Sequence, residues 1–292
     1  MILNVSGRTD IVAFYTPWFI NRYKEGFIDV RNPFNPKLVS RINFNNVDLI
    51  LFCTKNPLPI IPYLKDIKKN IIFHVTLTPY LKDIEPNVID KKDIINGIKE
   101  ISNIIGIDNI YVRYDPIFLS KKYNVNYHIK MFDRMCMLLD GYVKHIIVSF
   151  IDDYKNVRNN SKILSKKEFT ELDYEKIGIN FSNSAKKHNM TVQTCCEKKN
   201  LCEYGFIKND CISHELAYIY TGKKYHSWKE RDCNCVQMVD IGVYNTCKHL
   251  CKYCYANYDE KRVLNNIKNH NLNSSLLIGE LEDDDIIKER VK

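Results

Sequence analysis

No apolar run in this 292-residue chain approaches the roughly 20 residues that span a bilayer. The longest are short stretches such as Leu49-Ile50-Leu51-Phe52-Cys53. The opening segment MILNVSGRTD has neither the basic start nor the apolar stretch of a signal peptide, so a cytoplasmic protein with no membrane partner is expected. Glycine contributes only 10 residues, and no phosphate-binding loop is recognisable among them. A nucleophile motif and a paired-carboxylate arrangement are missing as well. His74, His145 and His214 lack partners at the spacing of a zinc site or a catalytic triad. Pairs of Cys-x-x-Cys knuckles and a continuous basic stripe, the marks of a zinc-stabilised nucleic-acid-binding module, are not clearly present. Without repeats, low-complexity tracts or Pro/Gly linkers, the chain reads as one domain over 1–292.

What is present is a chain with 45% hydrophobic residues, enough for a sizeable core. The net charge of +8 comes from 43 Lys and Arg against 35 Asp and Glu. Much of it is spread as singlets and pairs, which fits solvated surface better than a nucleic-acid footprint. The 11 cysteines are the strongest departure from an ordinary composition. Cys53 and Cys136 stand alone and read as small buried hydrophobes. The other nine fall between Cys195 and Cys254. In a reducing compartment disulfides are not expected, so metal or redox chemistry is the better reading.

Six short β-branched runs, at 1–5, 47–54, 71–78, 109–114, 144–150 and 190–195, are interspersed with stretches of helical spacing such as Lys91–Ile105 and Tyr127–Leu139. Strands alternating with helices imply a parallel sheet with crossover helices. Six such units favour an α/β fold of the TIM-like, partial β/α-barrel type, with a doubly wound sheet as the alternative. A seventh run, Val236–Val243, precedes the last cysteines, Tyr255–Ile267 reads as helical, and Glu280–Lys292 reads as a surface tail. Ligands of parallel α/β folds sit outside the carboxyl ends of the strands. Arg8, Asp10, Lys55, Asn56, Arg113, Asp115 and Glu197 fall there and are the candidates for binding cofactor or substrate; Thr76, Thr78, Ser149 and Asp152 join them. A purely structural alternative makes Arg8–Asp10 and Arg113–Asp115 ion pairs that close the rim.

Residues Asn245–Asn257 read NTCKHLCKYCYAN. The x3, x2 spacing of Cys247, Cys251 and Cys254 lets one loop offer three thiolates to an iron–sulfur cubane, leaving the fourth iron open. With Tyr253 before the last cysteine, the segment resembles the signature of the radical S-adenosylmethionine (SAM) superfamily. That resemblance implies a 4Fe–4S cluster whose open iron chelates SAM. It also implies reductive SAM cleavage to a 5′-deoxyadenosyl radical that abstracts hydrogen from a substrate, with electrons from a donor such as flavodoxin or ferredoxin. Tyr253, Tyr255 and Asn257 are the expected cofactor contacts, Tyr253 lying against the adenine. Most of the superfamily carries its cluster loop after the first strand. Here the loop follows the last, so the resemblance calls for a circular permutation with the run 236–243 paired beside 1–5. His249 reads as a solvent-facing loop residue, or as one touching a cluster sulfur or SAM.

The pieces SGRTD (6–10), RNPFNP (31–36), TKNP (54–57), RYDPI (113–117), SFIDDY (149–154), CNC (233–235) and DIGVYNTCKHLCKYCYAN (240–257) resemble the uncharacterised bacterial family DUF1848. Its cysteine loop is similar to that of the spore photoproduct lyase and DNA repair photolyase-like branch. Damaged or modified nucleic acid is therefore one substrate class suggested by analogy. Within a cysteine-rich region at about 196–257, Cys196, Cys211, Cys233 and Cys235 make a further set of four ligands, with Cys195 and Cys202 as substitutes. A second 4Fe–4S cluster, a structural zinc and unligated core thiols are the three readings of that set. For the whole chain the alternative to an enzyme is a basic, zinc-stabilised nucleic-acid-binding protein without catalysis.

Overall fold

The computed structural model describes residues 1–197, 199–229 and 233–291. Its strands are β1 (Ile2–Val5), β2 (Phe27–Arg31), β3 (Leu38–Asn43), β4 (Leu49–Thr54), β5 (Asn70–Thr76), β6 (Ile110–Ile117), β7 (His145–Phe150), β8 (Thr191–Thr194), β9 (Ile207–Lys208), β10 (Val239–Asp240) and β11 (Ile286–Glu289). The helices are α1 (Ile11–Phe14), α2 (Thr16–Glu25), α3 (Lys91–Ile105), α4 (Val125–Leu139), α5 (Lys155–Asn159), α6 (Ser161–Leu164), α7 (Glu171–Lys187), α8 (His214–Thr221) and α9 (Glu260–Lys268).

All six apolar runs become strands of one parallel sheet, in the order β10-β1-β4-β5-β6-β7-β8-β9. The architecture is mixed α/β, an eight-stranded parallel sheet flanked by helices. Among the described residues no pairing joins the edge strands β10 and β9. The seventh run lies beside the first as expected, with Leu3 opposite Val239 and Asn4 opposite Asp240.

Parallel strands are buried on both faces, and the two faces here have different covers. Leu3, Ile50, Phe52, Phe73, Val112 and Val148 pack with Trp18 and Phe19 of α2, Ile94 and Ile98 of α3, Phe132 of α4 and Phe181 of α7. On the opposite face Ile2, Leu49, Leu51, Ile72, Tyr111 and Ile147 pack against Ile212, Ala217, Val236 and Met238. The cysteine-rich segment therefore covers the side that the crossover helices leave open. Helix starts are fixed locally: the side chains of Asp90 and Asn124 accept from the amides of Lys92 and Tyr127, and Thr170 with Asp173 forms a capping box.

The closing segment differs from the surface tail expected. Ile286–Glu289 forms β11 and pairs in parallel with β3, which pairs with β2 in a separate three-stranded sheet. Its side chains are all exposed, so hydrophobic periodicity carries no sign of it. A backbone ladder and the half-buried Asp285, gripped by Arg31, hold the segment in place; Lys292 lies outside the described residues. No helix among the described residues is long and apolar enough to cross a membrane.

Candidate metal centres at the strand ends

The cysteine loop follows β10 directly, and the close approach of β10 to β1 dictates how it leaves the sheet. A Cβ on Gly242 would fall 1.9 Å from Ser6 Oγ. Beside it, Asp240 accepts from Ser6 Oγ (2.8 Å), Gly7 N (2.6 Å) and Gly242 N (2.7 Å), and pairs with Arg8 Nε at 3.2 Å. Arg8 is thus bound to Asp240, and the ion pair Arg8–Asp10 does not form. Asp10 instead caps α1 through Ala13 N (2.9 Å), and its other oxygen accepts from Lys55 N (2.7 Å) and His249 Nε2 (2.9 Å).

His249 corrects the expectation of a solvent-facing residue. It is 2% exposed, held by Asp10 and packed on Phe14 at 4.6 Å. Asparagines carry the outer side of the loop. Asn156 Nδ2 donates to the carbonyls of Cys254, Tyr255 and Asn257, Asn160 to Lys252, Asn87 to Lys248, and Asn257 to Cys247. Tyr15 adds a bond from its hydroxyl to Thr246 O at 2.7 Å. Cys247 and Cys251 are buried and Cys254 partly so. Burial pushes all three thiols up, and Lys55 pulls Cys251 and Cys254 back down.

Behind Cys251 lies a buried charge cluster. Glu85, 1% exposed, pairs with Lys55 Nζ at 2.9 Å and with Lys91, and accepts from Thr78 Oγ1 at 2.6 Å and from the Tyr253 hydroxyl. Burial alone would raise its carboxyl, but Lys55 and Lys91 outweigh it and hold the group at about 2. Tyr253 is buried, with Tyr80 at 5.6 Å and Lys55 Nζ 5.5 Å from its ring centroid. Its observed partners are therefore Glu85, Lys55 and Tyr80. Tyr255 is exposed at the loop's far end and donates to Gly7 O.

Arg113 and Asp115 do form the expected ion pair, with Arg113 Nε and Nη2 at 2.9 and 2.6 Å from Asp115 Oδ2. Burial works against the Asp115 charge, but Arg113 and the Ser149 hydroxyl hold its carboxyl low, and Lys55 contributes. Glu197 accepts from Phe150 N at 2.7 Å, and burial, with Asp152 and Asp115, raises it to about 8. Lys55, Arg113, Asp115 and Glu197 thus form one electrostatic group. Asn56 stays outside it, its side chain accepting from Leu58 N in the turn after β4.

The second cysteine set gathers with a change of membership. Cys195, Cys211 and Cys235 have sulfurs all within 4.8 Å of one another, a group able to bind a metal. Cys233 shares a hydrogen bond with Cys235. Cys195 occupies the place expected for Cys196, because strand alternation carries Gln193 and Cys195 to the face covered by the cysteine-rich segment. Cys196, at φ 58°, is exposed, as is Cys202. The expectation of no disulfides fails here too: Cys195 and Cys211 are joined, with Cα atoms 6.0 Å apart, a normal span for the bond. Of the two isolated cysteines, Cys136 is fully buried as expected and Cys53 half-buried, its Sγ 3.4 Å from Asn4 Oδ1.

Glu85, Lys91, Asn156 and Asp240 are neighbours of the cysteine loop and strand ends that sequence reading missed. Glu85 and Asn156 lie in irregular or short segments with no periodicity, and only Asp240, inside the motif before the loop, carried a signal.

No curated protein matches this sequence. A family model described as a domain of unknown function, DUF1848, matches residues 2–256 and so spans both cysteine sets and every strand of the large sheet. The chain belongs to the DUF1848 family.

Proposed function

We propose that this chain is a radical SAM enzyme in which Cys247, Cys251 and Cys254 hold a 4Fe–4S cluster. The observation that carries the reading is the anchorage of the x3, x2 cysteine loop at the carboxyl ends of the parallel strands, beside Lys55, Arg113 and Asp115. When bound, the cluster and SAM would supply reductive cleavage to a 5′-deoxyadenosyl radical, with an electron from a donor protein such as a ferredoxin or flavodoxin.

The donor set fits. Three thiols sit in one loop whose carbonyls are engaged by asparagines, and two ammonium groups against one carboxylate make a net positive wall behind Cys251. Cys254 and Cys251 act on Cys247, and Cys254 on Cys251, so the three thiols lie near one another, as the ligands of one cluster must. Two buried polar atoms of the loop, His249 Nδ1 and Asn257 Oδ1, have no protein partner and suit a polar ligand at the open iron.

The chain's own residues then have distinct tasks. Lys55 and Lys91 offset thiolate charge, and Asp10 orients His249. Arg113 and Asp115 offer a fixed cation and carboxylate to a substrate. Glu197, protonated at neutral pH, can donate a hydrogen bond to it. Analogy alone leaves nucleic acid as one substrate class.

The test is electron paramagnetic resonance of the anaerobically reconstituted, dithionite-reduced protein. A cluster signal that changes shape when SAM is added, with about four irons per chain assigned to the loop by its loss in a Cys247→Ala/Cys251→Ala/Cys254→Ala variant, is expected. A signal indifferent to SAM would overturn the reading.

A further inference from the structure

We propose that Cys195, Cys211, Cys233 and Cys235 bind one zinc ion that fastens residues 209–229 and 233–238 to the sheet. The Cys195–Cys211 disulfide is the oxidised, metal-free form of that site. The inference is independent of the radical SAM reading.

Spacing decides between one ion and a second cubane. With Zn–S bonds of about 2.3 Å, the sulfurs of a tetrahedral site lie about 3.8 Å apart. Three of these sulfurs already lie within 4.8 Å of one another, and the thiol of Cys233 adjoins the third. A cubane would have to push them well apart.

The ligands come from separate pieces of chain: the end of β8, the turn after β9, and the approach to β10. Four thiolates from separate pieces make a closed, structural type of site, and soft sulfur donors in a tetrahedron select zinc. Local hydrogen bonds hold the pieces in register, with Val236 N donating to Ile212 O (3.0 Å), Trp228 N to Cys235 O (2.8 Å) and Asn234 N to Asp210 Oδ1 (3.2 Å).

The charge of the site also has an answer. Four thiolates around a divalent ion carry a net charge of two negatives, and Arg113 Nη1 donates to Cys211 Sγ at 3.2 Å. Metal ligands characteristically have such an outer partner. The same guanidinium grips Asp115 at the strand-end site, so the ion positions Arg113 and, through it, Asp115.

The chemistry balances. A dithiol reductant gives the disulfide two electrons and two protons and itself becomes a disulfide. The four thiols then lose four protons as zinc binds.

The test is metal analysis of the full chain purified with dithiothreitol. About one zinc per chain is expected in the wild type, and equally in the Cys247→Ala/Cys251→Ala/Cys254→Ala variant that removes the other centre. Cys211→Ser/Cys235→Ser should lose the zinc, Cys202→Ser should keep it, and Arg113→Ala should weaken zinc retention about 10–100-fold. Should the double variant fail to fold, alkylation mapping of the wild type decides. Cys195, Cys211, Cys233 and Cys235 should resist iodoacetamide until a chelator is added. Reduced wild type without zinc, iron bound by these four cysteines, or alkylation unaffected by chelator would overturn the proposal.

Discussion

Glu85 binds two ammonium groups and two hydroxyls at 1% exposure, and removing its charge would leave the half-buried Lys55 and Lys91 without the carboxylate that pairs with both. Breaking a buried pair from one side costs about 3–5 kcal/mol. Glu85→Gln should therefore lose that much stability in urea unfolding, and a loss below about 1 kcal/mol would show that the cluster contributes little. Glu197 acts in the opposite sense. The folded chain keeps its proton up to about 8 whereas the ordinary value is 4.5. Between those limits the folded state binds more protons than the unfolded one, so this group lowers stability as pH rises. Glu197→Gln should flatten the decline across that window, and an unchanged pH profile would contradict the assignment. The sequence pointed to Glu197 by its place after a strand. It could not point to Glu85, which irregular chain brings to the loop from a distance of 166 residues before Cys251.

At the scale of elements, the join between β10 and β1 determines where the cysteine loop stands. Gly242 tolerates no side chain: a Cβ would lie 1.9 Å from Ser6 Oγ and 2.9 Å from Ser6 Cβ. Gly242→Ala should cost about 1–3 kcal/mol through overpacking and displace the Ser6 hydroxyl from Asp240. Lower iron retention after reconstitution would accompany it. A variant as stable and as iron-rich as the wild type would separate the loop from this join. The strands themselves were legible because burial on both faces imposes apolar, β-branched runs. The three-stranded sheet was not, since β11 exposes all its side chains and is held by backbone pairing and Asp285.

The whole molecule brings two cysteine sets from one stretch of chain to different places. Cys247, Cys251 and Cys254 could be singled out directly, because three cysteines in one loop have a spacing. The second set could be read only as a composition. Its members meet through the packing of Ile212, Ala217, Val236 and Met238 against Ile2, Leu49 and Tyr111, and alternation along β8 selects Cys195 over Cys196. Among the strand-end polar residues the expected pair Arg113–Asp115 forms, whereas Asn56 stands apart and Arg8 takes another partner. Arg8 turned to Asp240 across a strand pairing that links residues far apart in sequence.

The central claim is tested most directly by assaying 5′-deoxyadenosine formation from SAM and dithionite with the anaerobically reconstituted protein. The account predicts deoxyadenosine from the wild type and none from Cys247→Ala/Cys251→Ala/Cys254→Ala, with zinc unchanged in both. No deoxyadenosine from iron-loaded wild type, or an equal yield from the variant, would contradict it.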